Sequence, residues 1–132
     1  QLAKLQRFVT ERAALVSIYD NALAPLAPLV KPLRRVAGGC AAWHLYVVQI
    51  DFAAAGVSRG EVMRRLAGQG IGTQVHYIPV HRQSYYARRY GALELPGADA
   101  YSDHVLSLPL FVGLASEDVA RVVRSLALAL RP

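Results

Sequence analysis

With 132 residues, 54% of them hydrophobic, the chain can form one domain with a buried core, which excludes a disordered protein. The formal net charge is +6, but the basic residues, all arginine except Lys4 and Lys31, are scattered over separate predicted helices and favour solvated faces over a nucleic-acid surface. Apolar stretches stop short of the roughly 20 residues of a membrane span and the single cysteine, Cys40, excludes an internal disulfide, so a cytoplasmic protein without a membrane partner is expected.

The first third of the chain predicts one helix and two strands. Apolar residues recur at the spacing of one helix face from residue 2 to about residue 22 and predict an amphipathic helix. Three prolines between residues 25 and 32 exclude a continuing helix, and Leu33 to Val36 is a candidate edge strand. The long apolar run from Trp43 to Phe52 is typical of a central strand.

The middle of the chain predicts a helix followed by a strand. Ser58 and Glu61 have the spacing of a capping box, which indicates a helix from about 59 to 68. Thr73 to Ile78 is rich in β-branched and aromatic residues and is predicted as a strand that Pro79 ends. Together with the preceding strand these elements form a β-α-β unit, whose helix leaves open whether the strands are parallel neighbours.

The last third predicts three helices. A short helix is expected over residues 83 to 90, and another from a turn at residues 95–97 through about residue 105. Residues 107 to 110 are expected to be extended, and Ser116 is predicted as the N-cap of the last helix. The buried stripe of that helix is predicted to consist of Val119, Val122, Val123, Leu126 and Leu130.

The sum is an α/β (α+β) domain with a small sheet of three or four strands and helices mainly on one face. Residues 1–132 are predicted to be a single domain. Its long first helix has no strand before it and no initiator methionine, which favours a piece of a larger protein.

The candidate functional residues lie between Gly70 and His81. Two histidines and a tyrosine occur there, where the predicted strand meets a loop, and such a place is rigid and accessible at once. Alternation along a strand would place His76 and Tyr77 on opposite faces.

Three chemical interpretations of this cluster are not supported. A zinc site needs more ligands than His76 and His81, and the only cysteine has no thiol partner. A triad of Ser107, His76 and Asp103 lacks a nucleophile elbow. The glycines at 68–72 follow a helix and precede a strand, which is the reverse of the order in a dinucleotide-binding loop. We therefore predict a binding loop without a metal.

Other histidines and tyrosines have simpler interpretations. Tyr85 and Tyr86 follow the histidines closely and can stack on a base or ring, whereas Tyr90 is expected to pack under a loop. His44 is expected in the core or at an interface, and His104 at the surface.

Six motifs follow one another along nearly all of the chain. They are Trp43-His44-Leu45-Tyr46, Gly70-Ile71-Gly72-Thr73-Gln74-Val75-His76-Tyr77-Ile78-Pro79-Val80-His81, Gln83-x-Tyr85-Tyr86, Leu95-Pro96-Gly97-Ala98, Ser107-Leu108-Pro109-Leu110 and Glu117-Asp118-Val119. In this order they resemble the C-terminal part of the sugar aminotransferases of the DegT/DnrJ/EryC1/StrS family. The histidine and tyrosine motifs are most similar to the branch that aminates a UDP-linked 4-keto-6-deoxy-N-acetyl sugar on the way to pseudaminic acid.

The resemblance implies a fold type I enzyme that uses pyridoxal phosphate, moves an amino group from glutamate to a nucleotide-linked keto sugar and works as a homodimer. For these residues it implies the small C-terminal domain, a short mainly antiparallel sheet with helices, without the large cofactor-binding domain that would precede Gln1. Lys4 and Lys31 match no lysine motif of the family, so no catalytic or cofactor-binding residue is assigned and the chain alone is expected to be inactive. The residues carried over as substrate-binding are His76, Tyr77, His81, Tyr85 and Tyr86.

Two functions of other classes stay open. The first is a stand-alone module that binds a nucleotide sugar or another acidic ligand without catalysis, and the second is a basic nucleic-acid-binding domain. A lysine within a cofactor-binding domain encoded upstream of Gln1 would favour the aminotransferase.

Overall fold

The structure is a computed structural model that describes residues 2–36, 38–39 and 41–132; Cys40, expected in a glycine turn, lies outside them. A short 3-10 turn, Leu2–Lys4, leads into helix α1, Leu5–Leu23, which confirms the predicted first helix. A second 3-10 turn, Ala24–Leu26, follows directly, with a proline among its first residues, where the missing amide proton costs no helical hydrogen bond.

Three antiparallel strands form the sheet, in the order β1-β2-β3. Strand β1 is Val30–Pro32, β2 is Tyr46–Ile50 and β3 is Val105–Leu108. The predicted central strand is confirmed in position, but the edge strand lies ahead of the predicted residues 33–36. Pairing of the buried Val30 with Ile50 fixes the earlier register.

Strand β2 is five residues long because the chain turns into a helix after it. The carboxylate of Asp51 accepts a hydrogen bond from the amide of Ala54, 2.9 Å away, and caps the short helix α2, Phe52–Ala55, which the sequence analysis did not predict. Helix α3, Arg59–Ala67, follows as predicted, and Ser58 Oγ accepts from the amide of Glu61 at 3.2 Å.

The segment at residues 73–78 is not a strand, contrary to the prediction. It lies along the outer edge of β3 and makes one bridge, in which Gln74 exchanges two backbone hydrogen bonds with Ser107 at 2.8 and 3.2 Å. The amide of Val75, which faces away from β3 after such a pair, donates to the side-chain oxygen of Gln74 at 3.0 Å.

Two short helices follow this segment, as predicted. Helix α4 is Ser84–Tyr90 and helix α5 is Pro96–His104, so the turn predicted at residues 95–97 is the beginning of α5. The extended stretch predicted at 107–110 begins earlier, in β3.

The last helix, α6, is Ser116–Ala129. Its N-cap is Ala115 rather than the predicted Ser116, whose hydroxyl donates to Glu117 and leaves the first amides of the helix uncapped by a side chain. Helix α6 packs against α1 and α3. The predicted stripe is buried, which is confirmed for Val119, Val122, Val123, Leu126 and Leu130.

A polar cluster ties α1 to β2 and to the loop before it. Arg35 donates two hydrogen bonds of 2.6 Å to the carboxylate of Asp20, and the hydroxyl of Tyr46 donates a third at 2.7 Å. Desolvation raises the pKa of Asp20, but the hydrogen bonds and charge of Arg35 with the bond from Tyr46 outweigh it and leave that pKa below its usual value. Burial raises the pKa of Tyr46 and of Tyr19, which stack with ring centroids 4.4 Å apart.

Candidate functional site

His76 is held by a buried serine of the sheet. Its Nδ1 lies 2.9 Å from the Oγ of Ser107, which is 6% exposed and whose backbone is fixed by the bridge to Gln74. Within the described part of the chain this is the hydrogen bond that His76 makes, and Nε2 has no partner among the described residues. A rigid strand therefore orients a half-buried imidazole.

Tyr77 extends from the same loop toward solvent. Its side chain is 74% exposed, and its ring stands edge-on to that of His76 with centroids 5.0 Å apart. It lines a cleft of about 360 Å³ together with two arginines, Arg59 and Arg82. Strand alternation predicts His76 and Tyr77 on opposite faces, whereas in the structure their rings are in contact.

The arginines of this cleft are engaged with other groups of the protein. Arg59 donates to the carbonyl oxygens of Ser102 and Val105 at the end of α5. Arg82 pairs with Asp99 at 2.5 Å and with Asp103 at 2.8 Å. The cleft is therefore polar, and both of its guanidinium groups have partners.

His81 faces inward. Its side chain is 6% exposed, and Nε2 lies 2.9 Å from Oδ1 of Asp99, which is also the partner of Arg82. The hydrogen bond from His81 is the largest cause that lowers the pKa of Asp99, with further contributions from the amide of Leu95 and the charge of Arg82. His81 is among the residues predicted to bind the substrate, and the structure places its ring beneath the loop surface.

Tyr85 and Tyr86 lie on the exposed helix α4. Their rings meet edge-on with centroids 5.2 Å apart, and the ring of Tyr86 is stacked with that of Tyr90 at 6.4 Å. Tyr90 is 61% exposed, so the expectation that it packs under a loop is wrong. None of the residues of helix α4 is buried, so no loop in the described part of the chain covers the ring of Tyr90. The three rings form an exposed aromatic row.

A nucleophilic triad is not formed, although two of its members meet. Ser107 and His76 are hydrogen-bonded, but Asp103 pairs with Arg82, and an acid that orients the imidazole is missing from the described contacts. Ser107 therefore orients the ring of His76 and is not a nucleophile of a triad.

The two lysines do not fit a pyridoxal phosphate site. Both are exposed, and neither makes an ion pair with a described residue. Lys31 borders a shallow groove of about 220 Å³, whose carboxylate, Asp51, caps helix α2. A Schiff-base lysine needs an enclosed pocket with a phosphate cradle, which neither position offers.

The remaining histidines lie outside the loop. His44 is exposed, which contradicts its expected place in the core but not one at an interface, and His104 is at the surface, as predicted. Across residues 2–36, 38–39 and 41–132, the His, Cys, Asp and Glu side chains form no group of three or more that suits a metal ion. In the same ranges, no helix has both the length and the apolar character needed to cross a bilayer.

Comparisons with known proteins show one family. A family model for the DegT/DnrJ/EryC1/StrS aminotransferase family matches residues 1–127. DesV from S. venezuelae, solved in complex with a ketimine intermediate, is 31% identical with a TM-score of 0.84, over 99% of this chain and 34% of DesV. DesI, solved in the presence of its TDP-sugar product, is 27% identical with a TM-score of 0.88, over 98% of this chain and 33% of DesI.

A third similar structure is PseC from Helicobacter pylori, an aminotransferase involved in the biosynthesis of pseudoaminic acid. It is 23% identical with a TM-score of 0.88, over 98% of this chain and 34% of PseC, and at this identity it shows the fold alone. The chain thus spans about one third of the length of the structures it matches. The predicted fold, that of fold type I aminotransferases with a small antiparallel sheet, is confirmed.

Proposed function

Because this chain belongs to the DegT/DnrJ/EryC1/StrS aminotransferase family, we propose that it is the C-terminal, substrate-binding domain of a sugar aminotransferase. The family depends on pyridoxal phosphate, which in transamination carries the amino group between two substrates. Since Lys4 and Lys31 do not suit that cofactor, the bond-making residues are proposed to lie outside these 132 residues, in a large domain. The chain alone is then inactive.

The observation that carries this proposal is the orientation of His76. Its Nδ1 is engaged by the buried Ser107, so Nε2 is the ring nitrogen that can hydrogen-bond a sugar hydroxyl or a diphosphate oxygen. Tyr77, exposed beside it, offers a hydroxyl and an aromatic face to the same ligand.

The other predicted contacts have different proposed roles. Tyr85 and Tyr86 are exposed on α4 and are proposed to stack on the base or sugar ring. The ring of His81 is buried against Asp99, so its proposed contribution to binding is made through the loop that it anchors.

We propose glutamate as the amino donor and a nucleotide-linked 4-keto-6-deoxy sugar as the acceptor. The solved neighbour DesI, which carries its TDP-sugar product, supports the nucleotide-linked class. The more specific proposal is a UDP-4-amino-4,6-dideoxy-N-acetyl-β-L-altrosamine transaminase, supported by the wording of the His-Tyr-Ile-Pro-Val-His motif at 76–81. A homodimer in the cytoplasm is proposed with it, and the lone cysteine fits that compartment.

The test separates the two half-reactions of the full-length protein. Replacing His76→Ala removes one hydrogen bond to the sugar nucleotide, so we expect its KM to rise about tenfold or more while the half-reaction with glutamate is unchanged. Single-turnover kinetics with each substrate measure the two effects, and parallel assays with UDP- and TDP-linked keto sugars identify the nucleotide.

The matched control is His104→Ala, since His104 is an exposed histidine whose Nδ1 bonds the carbonyl oxygen of Ala100 and lies outside the loop. It should leave both half-reactions unchanged. Equal losses in both half-reactions for His76→Ala would assign His76 a structural role and contradict the proposal.

A further inference from the structure

The segment of residues 83–95, here called the tyrosine segment, is not held by burial. It contains α4 and its aromatic row, and every residue in it is exposed or half-buried. Tyr85, Leu93 and Leu95 are each about half exposed, at 56%, 51% and 47%. A segment that buries so little apolar surface has little hydrophobic free energy to fix its position.

One carboxylate connects the two ends of this segment. Before the segment, His81 and Arg82 contact Asp99 at 2.9 and 2.5 Å. At its end, the amide of Leu95 donates to the other oxygen, Oδ2, at 3.2 Å. Asp99 belongs to α5, which leads directly into β3, so these contacts attach the segment to the sheet.

Burial of the imidazole distinguishes the His81–Asp99 contact from an ordinary surface pair. The side chain of His81 is 6% exposed, whereas those of Asp99 and Arg82 are 25% and 40% exposed. Arg82 is held in place by a second carboxylate, Asp103, at 2.8 Å. Charge-assisted hydrogen bonds of this kind are shorter and stronger than neutral ones. Several charges in one network also contribute more to stability than an isolated surface pair does.

We propose that Asp99 is a positioning residue, whose carboxylate holds both ends of the tyrosine segment and so places Tyr85 and Tyr86 against the nucleotide sugar. This inference rests on the proposed function. Asp99 itself does not touch the substrate in this arrangement. Without its charge the attachment of the segment weakens while the core stays intact, because the segment contributes no buried residue to the core.

The experiment compares Asp99→Asn with the matched control Glu94→Gln in the full-length protein. Both changes remove one acidic charge, but Glu94 lies within the exposed segment and makes no described hydrogen bond or ion pair. Limited trypsin digestion reports the segment directly, because Arg88 and Arg89 lie in its middle. Single-turnover kinetics with the keto sugar and with glutamate report recognition.

For Asp99→Asn we expect cleavage after Arg88 or Arg89 to be about tenfold faster and the KM for the sugar nucleotide to rise about tenfold, with Tm lowered by no more than a few degrees and the glutamate half-reaction unchanged. Asp99→Glu, which keeps a carboxylate, should recover part of both losses. Glu94→Gln should behave as the unaltered protein.

Each remaining outcome has a defined meaning. Equal cleavage rates in Asp99→Asn and the unaltered protein would overturn the positioning role. Faster cleavage with an unchanged KM would also overturn it, while leaving the role of His76 untouched. A protein in which His76→Ala has no effect on sugar use, but Asp99→Asn still releases the segment, would contradict the proposed function alone.

Discussion

Asp20 accepts three short hydrogen bonds at the junction of α1, β2 and the loop before β2. It receives two from Arg35 and one from Tyr46, and its side chain is 28% exposed. Because its pKa is lower in the folded protein than the ordinary value of 3.8, the folded state favours the charged form. The contribution of Asp20 to stability is therefore present above that value and is lost as the pH falls through the folded pKa.

We accordingly predict that Asp20→Asn lowers the free energy of unfolding by roughly 1 to 2 kcal/mol at neutral pH, since it weakens hydrogen bonds to a charged group that is partly screened by water. The difference from the unaltered protein should shrink below about pH 4, where the unaltered carboxyl also begins to gain its proton. Urea unfolding at a series of pH values measures it.

Glu11→Gln is the control for this change. Glu11 lies on the same helix and pairs with Arg7 at 3.6 Å in an exposed i,i+4 arrangement. Pairs of this kind contribute about 0.3 to 0.5 kcal/mol, so the effect should be small at every pH. If Asp20→Asn lowered the free energy of unfolding equally at every pH, the negative charge of Asp20 would not be the source of its stabilising effect.

The loop that carries the candidate site could be singled out from the sequence, but the contacts that orient its residues could not. The bonds of His76 to Ser107 and of His81 to Asp99 join residues 31 and 18 positions apart. No local pattern encodes such pairs, because they depend on where β3 and α5 lie in the folded chain. Local alternation along a strand also fails here, because the segment makes only the one bridge of Gln74 with Ser107 to β3.

Two serines at helix starts differ in what their hydroxyls do. Ser58 Oγ accepts from the amide of Glu61 and caps α3, whereas Ser116 is already inside α6 and donates to a neighbouring carboxylate. An N-cap satisfies an amide that the helix itself cannot.

Ser58→Ala should therefore lower the free energy of unfolding by about 1 kcal/mol, within the usual range of roughly 0.5 to 2 kcal/mol for a lost N-cap. Ser116→Ala, the matched control, should change it by less than about 0.5 kcal/mol. Urea unfolding at neutral pH compares the two variants. A larger loss for Ser116→Ala would mean that its hydroxyl, not the backbone of Ala115, begins α6.

Periodic elements were predictable and pairing-dependent ones were not. Helices α1, α3 and α6 carry apolar stripes or caps over nine residues or more, a signal that is complete within the element. A strand forms only where it can pair with a neighbouring strand. The composition of residues 73–78 favoured a strand, but the segment pairs with β3 at a single residue, Gln74. Helix α2 is four residues long, too short to show a period.

At the scale of the whole molecule, the fold class follows from the apolar pattern, which is why it could be predicted, whereas the strand register could not. The core joins the sheet to α1, α3 and α6. Both lysines lie outside this core and are exposed. The domain therefore has a stable frame for the proposed substrate-binding residues, and neither of its lysines is an enclosed amine.

Mixed with pyridoxal phosphate at neutral pH, the isolated 132-residue chain is thus expected to show no stoichiometric absorbance of a lysine-bound cofactor and no amino transfer from glutamate. Circular dichroism of the same sample verifies that the chain is folded. Lys4→Arg and Lys31→Arg serve as controls for adventitious reaction of exposed amines. A one-to-one adduct that disappears with a single one of these substitutions would contradict the assignment of cofactor chemistry to residues outside the chain.

The tyrosine segment also bears on how such a domain acquires new specificities. Its ends are joined through one carboxylate, and none of its side chains belongs to the core, so residues between them can be exchanged without repacking the interior. Libraries restricted to residues 84–94 would alter the surface offered to a ligand while folding is preserved. Selection on this scaffold can then act on ligand preference separately from thermal tolerance.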